Sequence, residues 1–369
     1  MFYGYSEEEK MLQRSVRDMF QERCTIEHVR GFSNEQKISS KLQELLSSQG
    51  FLGIIESGQS GQTVEGLTYA SLIAQEAGRA LLPFPLLETM TGLYGLKTCG
   101  NHSQLVSDVE EGKRVLTVAW NSGDITARKQ GDEFILNGTL SAVPFAEEAD
   151  VILANVRILG MGSTATDEET VIVIDAKHPS ISSYNLGSMD ETYPIYDVVI
   201  NQYSFSQDAI VKGLGMGMGH QLMNSMTKVG TLLNTAELVG CSERAMNITV
   251  DYTKERKQFD SAIAKFQAMK HMAAEMCLMV ESSRVSVDYA TWAIENAPKE
   301  LDISISVAKS YTSNAAKKIA ADVIQMHGGI GVTWEADIHL FTKRALRSAS
   351  IFGGVYDHRE QIAKVTLDK

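Results

Sequence analysis

Val239-Gly-Cys-Ser-Glu-Arg-Ala-Met leads through Tyr252-Thr-Lys-Glu-Arg256-Lys-Gln-Phe259-Asp to Phe266-Gln267, ahead of a helical stretch that includes His271, Ala274 and Glu275. The guanidinium of Arg256 can offer a bidentate fork to a pyrophosphate, and Gln267 can add an amide donor. Taken alone, Arg256 reads more simply as a cation in the solvated last turn of a helix, where the macrodipole favours it. Downstream, Gln325-Met-His-Gly-Gly-Ile-Gly331 puts consecutive glycines where a helix should stop. A plain C-cap explains a glycine there, and the pair also permits close backbone approach to a ligand. A third segment, Ile351-Phe352-Gly353-Gly354, carries no carboxylate.

Together these segments resemble the acyl-CoA dehydrogenase family, in which Arg-x-x-Phe and a downstream Gln grip the FAD pyrophosphate and a Gln-x-x-Gly-Gly turn receives the adenosine end. The resemblance implies a flavoenzyme whose FAD is held by Arg256, Phe259, Gln267, Gln325, Gly328 and Gly329. In that family these elements reach across a dimer interface to the FAD whose flavin ring sits on the neighbouring subunit. The third segment usually reads Ile-Tyr-Glu-Gly, and its Glu removes the α-proton of an acyl thioester while hydride leaves the β-carbon for flavin N5. Here the matching residue is Gly353.

Some relatives with Gly at that place supply a Glu from the helix before Arg-x-x-Phe, immediately ahead of an Arg that helps bind substrate. Counting back from Arg256 without gaps puts Gly230 and Thr231 there, so the alternative base is missing too. Glu237 lies two turns further along the same helix and is a poor positional substitute. Asp357 and Glu360 flank the Gly353 turn and read more simply as part of a solvated C-terminal helix. No catalytic residue is therefore assigned.

The family holds the flavin ring with a Thr-Glu-Pro-x-x-Gly-Ser-Asp stretch and a later Trp-Ile-Thr segment. The corresponding regions here read Val118-Ala-Trp-Asn-Ser-Gly-Asp124 and Leu140-Ser-Ala-Val-Pro-Phe145. Without those partners the polar edge of the ring would lose hydrogen bonds, each worth about 1–3 kcal/mol when left unmade. The resemblance thus implies the small, base-less subunit of a heteromeric (α2β2) acyl-CoA dehydrogenase. Such enzymes act on CoA thioesters of steroid side chains and some dicarboxylates. A larger homologous subunit would supply the catalytic Glu and flavin pocket, an acyl-CoA would be the substrate, and an electron-transfer flavoprotein would take the electrons. The rivals are a self-sufficient homo-oligomer with a base at Glu237, Asp357 or Glu360, a non-catalytic scaffold of the same fold, and the DNA-associated branch of the family.

Composition bounds these readings. At 369 residues the chain exceeds the roughly 250–300 at which one core stops growing, so two or three domains are expected. With 44% hydrophobic and 22% charged residues it has ample material for cores and no bias to disorder. A formal charge of −12 argues against a phosphate-backbone footprint and hence against nucleic acid. Met1 through Glu9 is polar and acidic, so no secretory signal is expected, and no apolar run approaches the ~20 residues of a membrane helix. The four scattered cysteines, Cys24, Cys99, Cys241 and Cys277, read as reduced thiols in a cytoplasm.

The element pattern reads as α+β, helical, then β, then helical, and the resemblance implies the acyl-CoA dehydrogenase-like architecture: a helical N-terminal domain (1–113), a central β-barrel-like domain (114–207) and a C-terminal four-helix bundle (208–369). Ser6-Glu-Glu-Glu9 is a capping box, followed by Leu12, Val16, Met19 and Phe20 at helical spacing. Leu42, Leu45 and Leu46, and then Leu67 through Ala77, suggest further helices before Pro83 and Pro85 interrupt. Strands are expected at Val115–Ala119, Glu133–Leu136, Asp150–Ala154, Val171–Asp175 and Asp197–Ile200, with turns at Gly131-Asp-Glu and at Asn137-Gly138. Helices return from His220, one of them running from near Ile303 to Gly328.

Gly213-Leu-Gly-Met-Gly-Met-Gly219 lacks the Lys-Ser/Thr of a P-loop and reads as a flexible hinge. Met269, Met272, Met276 and Met279 read as helix core. His102, His220, His271, His327, His339 and His358 show no ligand-pair spacing, so no metal is assigned.

Overall fold

The computed structural model describes residues 4–57, 64–160, 167–211 and 218–367. Three helices, α1 (Glu7–Arg23), α2 (Ile26–Glu35) and α3 (Ser40–Ser48), precede a two-residue ladder, β1 (Glu56–Ser57) with β2 (Val64–Glu65). Helices α4 (Leu67–Ala80), α5 (Leu86–Cys99) and α6 (Ser103–Glu110) follow. The strands are β3 (Leu116–Ala119), β4 (Thr126–Gln130), β5 (Glu133–Pro144), β6 (Val151–Ile158), β7 (Glu168–Asp175), β8 (Ile181–Asn185) and β9 (Ile195–Phe205). The rest is helical: α7 (Gly219–Glu255), a tight hairpin of β10 (Lys257–Gln258) and β11 (Ser261–Ala262), α8 (Gln267–Asn296), α9 (Leu301–His327), α10 (Ile338–Ser348) and α11 (Val355–Leu367). The chain packs as two compact units, one of Met1–Asn34, Leu67–Leu82 and Thr231–Lys369, the other of Glu35–Gly66 and Pro83–Gly230.

In the first unit α1 starts as its sequence dictates. Ser6 Oγ accepts from Glu9 N at 3.2 Å and Glu9 returns the bond to Ser6 N at 2.6 Å, a capping box that satisfies amides with no partner in the first turn. Val16 and Phe20 are its buried face. Helix α4 runs backbone against backbone with α7. A Cβ on Gly78 would stand 2.0 Å from Glu237 O, and one on Gly240 would stand 1.7 Å from Gln75 O; any side chain there would push the helices apart. Among the methionines of α8, Met276 is fully buried while Met269, Met272 and Met279 are half-buried.

In the second unit seven strands run in the order β3-β6-β4-β5-β9-β8, with β7 also paired to β6. Ladders are antiparallel except β3–β6 and β4–β6. The sheet curls around one apolar core that includes Ala127, Leu136, Ile152, Ile172 and Val198. Helix α5 is buried on every side from Leu86 to Leu96, so it shows no amphipathic stripe. Thr89 Oγ1 donates to Leu116 O at 2.8 Å, tying α5 to β3.

Gly131, at φ +64°, turns β4 into β5 as expected. Asn137-Gly138 does not form a hairpin turn. It lies inside β5, where the register against β9 shifts between Leu136 and Gly138. The two residues serve a β-bulge: Asn137 Oδ1 accepts from Gln202 N at 2.8 Å, and a Cβ at Gly138 would meet Asp124 O at 2.4 Å. The strength of Asn-Gly as a turn signal comes from its tolerance of positive φ, and a bulge uses the same tolerance. Residues 213–217 of the glycine tract lie outside the described residues. Gly219 opens α7, where a Cβ would meet Thr170 Cα at 2.5 Å.

Candidate functional site

Helix α7 ends at Glu255, and Arg256 N still donates to Tyr252 O at 2.9 Å. Arg256 is exposed. The chain then reverses through Phe259 and Asp260 at φ 51° and 58°, the double positive-φ geometry of a type I′ hairpin between β10 and β11. A bulky aromatic at positive φ is strained, and Phe259 is nonetheless 88% exposed. It touches Phe266 edge-on at 6.1 Å. The hairpin is closed by Ile263 N donating to Arg256 O at 2.9 Å. Gln267 is the first residue of α8, so its exposed amide stands at the positive end of that helix dipole.

The glycine segment comes to the same place. Tyr252, one turn before Arg256, stacks on His327 with ring centroids 4.3 Å apart. His327 Nδ1 bonds Val323 O at 2.7 Å, which fixes the proton on that nitrogen, and burial pushes its pKa down. Immediately after it Gly328 caps α9 at φ 65°, ψ −148°, a conformation open essentially to glycine alone. Gln325, Gly328 and Gly329 are exposed, and no atom stands within 4 Å of a Cβ placed on either glycine. Tyr252 and His327 were not singled out from the sequence as partners. The available signal was position: each lies within one turn of a motif residue.

The turn where a carboxylate would be expected is occupied otherwise. Phe352 and Gly353 both have positive φ, 61° and 95°, and His358 Nε2 donates to Phe352 O at 2.9 Å while Nδ1 faces Ser306 Oγ at 3.3 Å. Gly230 and Thr231 are buried inside α7, where Thr231 O accepts from Thr235 Oγ1 at 2.6 Å. Glu237 is 2% exposed, accepting from Arg344 Nη1 at 2.8 Å and facing Ser348 Oγ at 3.4 Å. Beside it Lys309 bonds Asn234 Oδ1 at 2.6 Å and Ser348 O at 2.7 Å, with its pKa pushed down by burial to about 7. Asp357 Oδ2 caps the next helix by accepting from Gly354 N at 2.8 Å, and exposed Glu360 faces Lys364 at 3.7 Å.

In the second unit, Val118–Asp124 and Leu140–Phe145 bond to their own surroundings. The indole of Trp120 donates to Glu88 at 3.3 Å, and Tyr193 donates to the same buried carboxylate at 2.5 Å. Thr117 Oγ1 takes Pro144 O at 2.7 Å, Phe145 N takes Pro194 O at 3.0 Å, and Asn121 bridges Ser141.

The model of the acyl-CoA dehydrogenase N-terminal domain matches residues 6–105, and that of the C-terminal domain matches residues 217–367. The chain belongs to the acyl-CoA dehydrogenase family. It is 27% identical over 365 residues to the acyl-CoA dehydrogenase IpdE2 of Mycolicibacterium smegmatis, covering 98% of this chain and 99% of that one. A chain of the ChsE4-ChsE5 complex from Mycobacterium tuberculosis shares its fold at TM-score 0.84 and 22% identity, with all of both chains covered. A glutaryl-CoA dehydrogenase from Mycobacterium smegmatis in complex with FADH2 does so at TM-score 0.86 and 16% identity, over 99% and 96% of the two chains.

This is an enzyme family, and FAD is its cofactor. The donor set of this acyl-CoA dehydrogenase chain fits the dinucleotide end of that cofactor. Arg256 supplies a cation, Gln267 and Gln325 supply amides, and Gly328-Gly329 leave room against bare backbone. Among the described residues of the chain, Arg256 makes no ion pair. Among them too, no helix is long and apolar enough to cross a membrane.

Proposed function

We propose that this chain is the small subunit of a heteromeric FAD-dependent acyl-CoA dehydrogenase that forms an α,β-double bond in an acyl-CoA thioester. The observation that carries the reading is an asymmetry: Arg256 and the Gly328-Gly329 turn, both exposed, are joined through the Tyr252–His327 stack, in a chain with no carboxylate at Gly353. Arg256 would pair with the pyrophosphate, Gln267 and Gln325 would donate to it and to the ribose, and Gly328-Gly329 would admit the adenosine. FAD, when bound, accepts a hydride from the acyl β-carbon. The larger homologous subunit would contribute the catalytic Glu and the flavin pocket, and an electron-transfer flavoprotein would remove the electrons.

Support comes from each alternative carboxylate having a structural partner: Glu237 holds Arg344, Asp357 caps Gly354 and Glu360 faces Lys364. Further support comes from the bonds that Trp120, Thr117 and Phe145 make within their own unit, which spend the groups a flavin edge would need. The related ChsE4-ChsE5 assembly is itself a complex of two named proteins. Steroid side-chain thioesters are the substrate class that fits the resemblance, and the cytoplasm is the compartment.

The test is flavin absorbance of the chain purified alone and after co-expression with a longer homologue that carries a catalytic Glu. Colourless alone and yellow together, bleached by an acyl-CoA, is the expected result. Yellow and bleachable alone would overturn the proposal in favour of a self-sufficient enzyme. Colourless in both would overturn it in favour of a scaffold.

A further inference from the structure

The first unit holds a cavity of about 280 Å³ that takes no part in the surface described above. Its walls mix arginines with apolar groups: Arg17, Arg79 and Arg244 face it together with Phe20, Ile26 and Phe341. The charged groups in and behind these walls balance in number, but the ion pairs leave one guanidinium, Arg244, without an acceptor. Glu76, 2% exposed, is taken by Arg17 through Nε at 3.0 Å and Nη2 at 2.7 Å. Glu243 is divided between Arg79, 3.0 Å away, and Arg284, 3.3 Å away, and Arg284 also has Glu281 at 3.6 Å. Arg244 has neither an ion pair nor a hydrogen bond among the described residues. The remaining carboxylate of the lining, Glu27, is fully exposed at the rim and bonds Thr25 and its own backbone.

Arg79 is paired in charge, with Glu243 at 3.0 Å and Glu76 at 4.0 Å, but poorly hydrogen-bonded. Its Nη1 lies within ion-pair distance of Glu243, but neither Nη1 nor Nε has a hydrogen bond, although both atoms are buried. Buried donors without acceptors are costly, and a guanidinium fork satisfies them best with a planar bidentate acceptor. Burial also depresses the pKa of Arg79, the direction that an added anion would reverse. Arg244, a cation with no acceptor in contact, calls for a monoanion, and the walls of Phe20, Ile26 and Phe341 call for an apolar tail.

We propose that this cavity binds a small organic monocarboxylate, its carboxylate between Arg79 and Arg244 and its alkyl tail against Phe20, Ile26 and Phe341. The features that point to it are one arginine with no acceptor among the described residues, beside a second whose buried Nε and Nη1 make no hydrogen bond, at a cavity with an aromatic wall. The proposal does not depend on how the chain uses FAD.

The full-length chain would be titrated with butyrate, and with butyramide as the uncharged isostere, followed by saturation-transfer NMR. Saturable butyrate binding is expected, with butyramide weaker by about tenfold or more, the scale of a charge-assisted contact. Arg244→Gln should weaken butyrate by a similar factor without lowering the melting temperature. Arg244→Lys, which keeps the charge and loses the fork, should give an intermediate affinity and serves if the Gln variant fails to fold. Absence of saturable butyrate binding, equal binding of butyramide, or butyrate affinity unchanged in whichever Arg244 variant folds would each overturn the proposal.

Discussion

The imidazole of His358 lies directly over Gly353: its Nε2 is 3.2 Å from where a Cβ on that glycine would stand. With Gly353 at φ +95°, a side chain there is strained by the backbone conformation and crowded by the ring, which would have to give by a few tenths of an ångström. A carboxylate restored there by one substitution therefore carries both costs. Gly353→Glu is expected to cost about 1–3 kcal/mol in urea unfolding through the strained φ, and to yield no flavin bleaching by acyl-CoA in the chain alone. Adding His358→Ala should recover the steric part of that loss and leave the conformational part. Bleaching by the single variant would show that the turn adapts to a Glu and that its geometry is not the obstacle.

Glu237 is the acid nearest in sequence to the alternative base position, and its pairing with Arg344 makes it structural. Removing one partner of a buried pair typically costs about 3–5 kcal/mol because the other charge is left alone. Glu237→Gln is therefore expected to lower stability by that order, while turnover per bound flavin in the assembled complex stays within twofold or so of the parent. A catalytic base would give the reverse pattern: intact stability and lost turnover.

Arg256 is exposed and makes no ion pair among the described residues, so its removal should spare the fold. Arg256→Ala is expected to leave thermal melting of the isolated subunit unchanged and to weaken FAD retention by the assembled complex roughly ten- to a hundredfold, the range of a lost hydrogen bond to a charged group. Gly328→Ala should do both kinds of damage, because φ 65°, ψ −148° is a glycine conformation. Flavin occupancy unaltered by Arg256→Ala would remove that residue from the cofactor site.

Much of this architecture was legible in the chain. The capping box at Ser6 and the glycine stop at Gly328 are local signals whose physics acts within a few residues, and both mark their helix ends. Strands β4 and β8 were missed because Thr126-Ala-Arg-Lys-Gln130 and Ile181-Ser-Ser-Tyr-Asn185 are mostly polar and largely uncovered, and only pairing with β5 and β9 makes them strands. Asn137-Gly138 carried the right conformational information, and its partner strand turned it into a bulge. The candidate site was readable as two motifs, whereas their meeting through Tyr252 and His327 depends on how α7 and α9 pack, which periodicity does not encode. The role of Glu237 was hidden for the same reason, since Arg344 lies far along the chain.

Asp288 gives the fold a pH dependence with a definite sign. Burial, the largest cause, raises its carboxyl from an ordinary 3.8 to about 6, with Glu281 and Glu9 adding to the rise, while Arg284 and the hydroxyl of Tyr5 oppose it. The folded state therefore holds this proton more tightly than the unfolded chain. The stabilisation it brings is fully present below pH 3.8 and is lost as pH climbs through 6. The shift corresponds to about 3 kcal/mol at most. Asn mimics the protonated carboxyl and can still accept from Tyr5. Asp288→Asn is accordingly expected to gain stability relative to the parent as pH goes from about 4.5 to 7.5, by most of that amount. Paired urea unfolding curves at the two values would check it, because the other titrating groups are common to both proteins and cancel in the difference. A gap that stays constant with pH, or that narrows as pH rises, would mean that the Asp288 carboxyl is not held above its ordinary range.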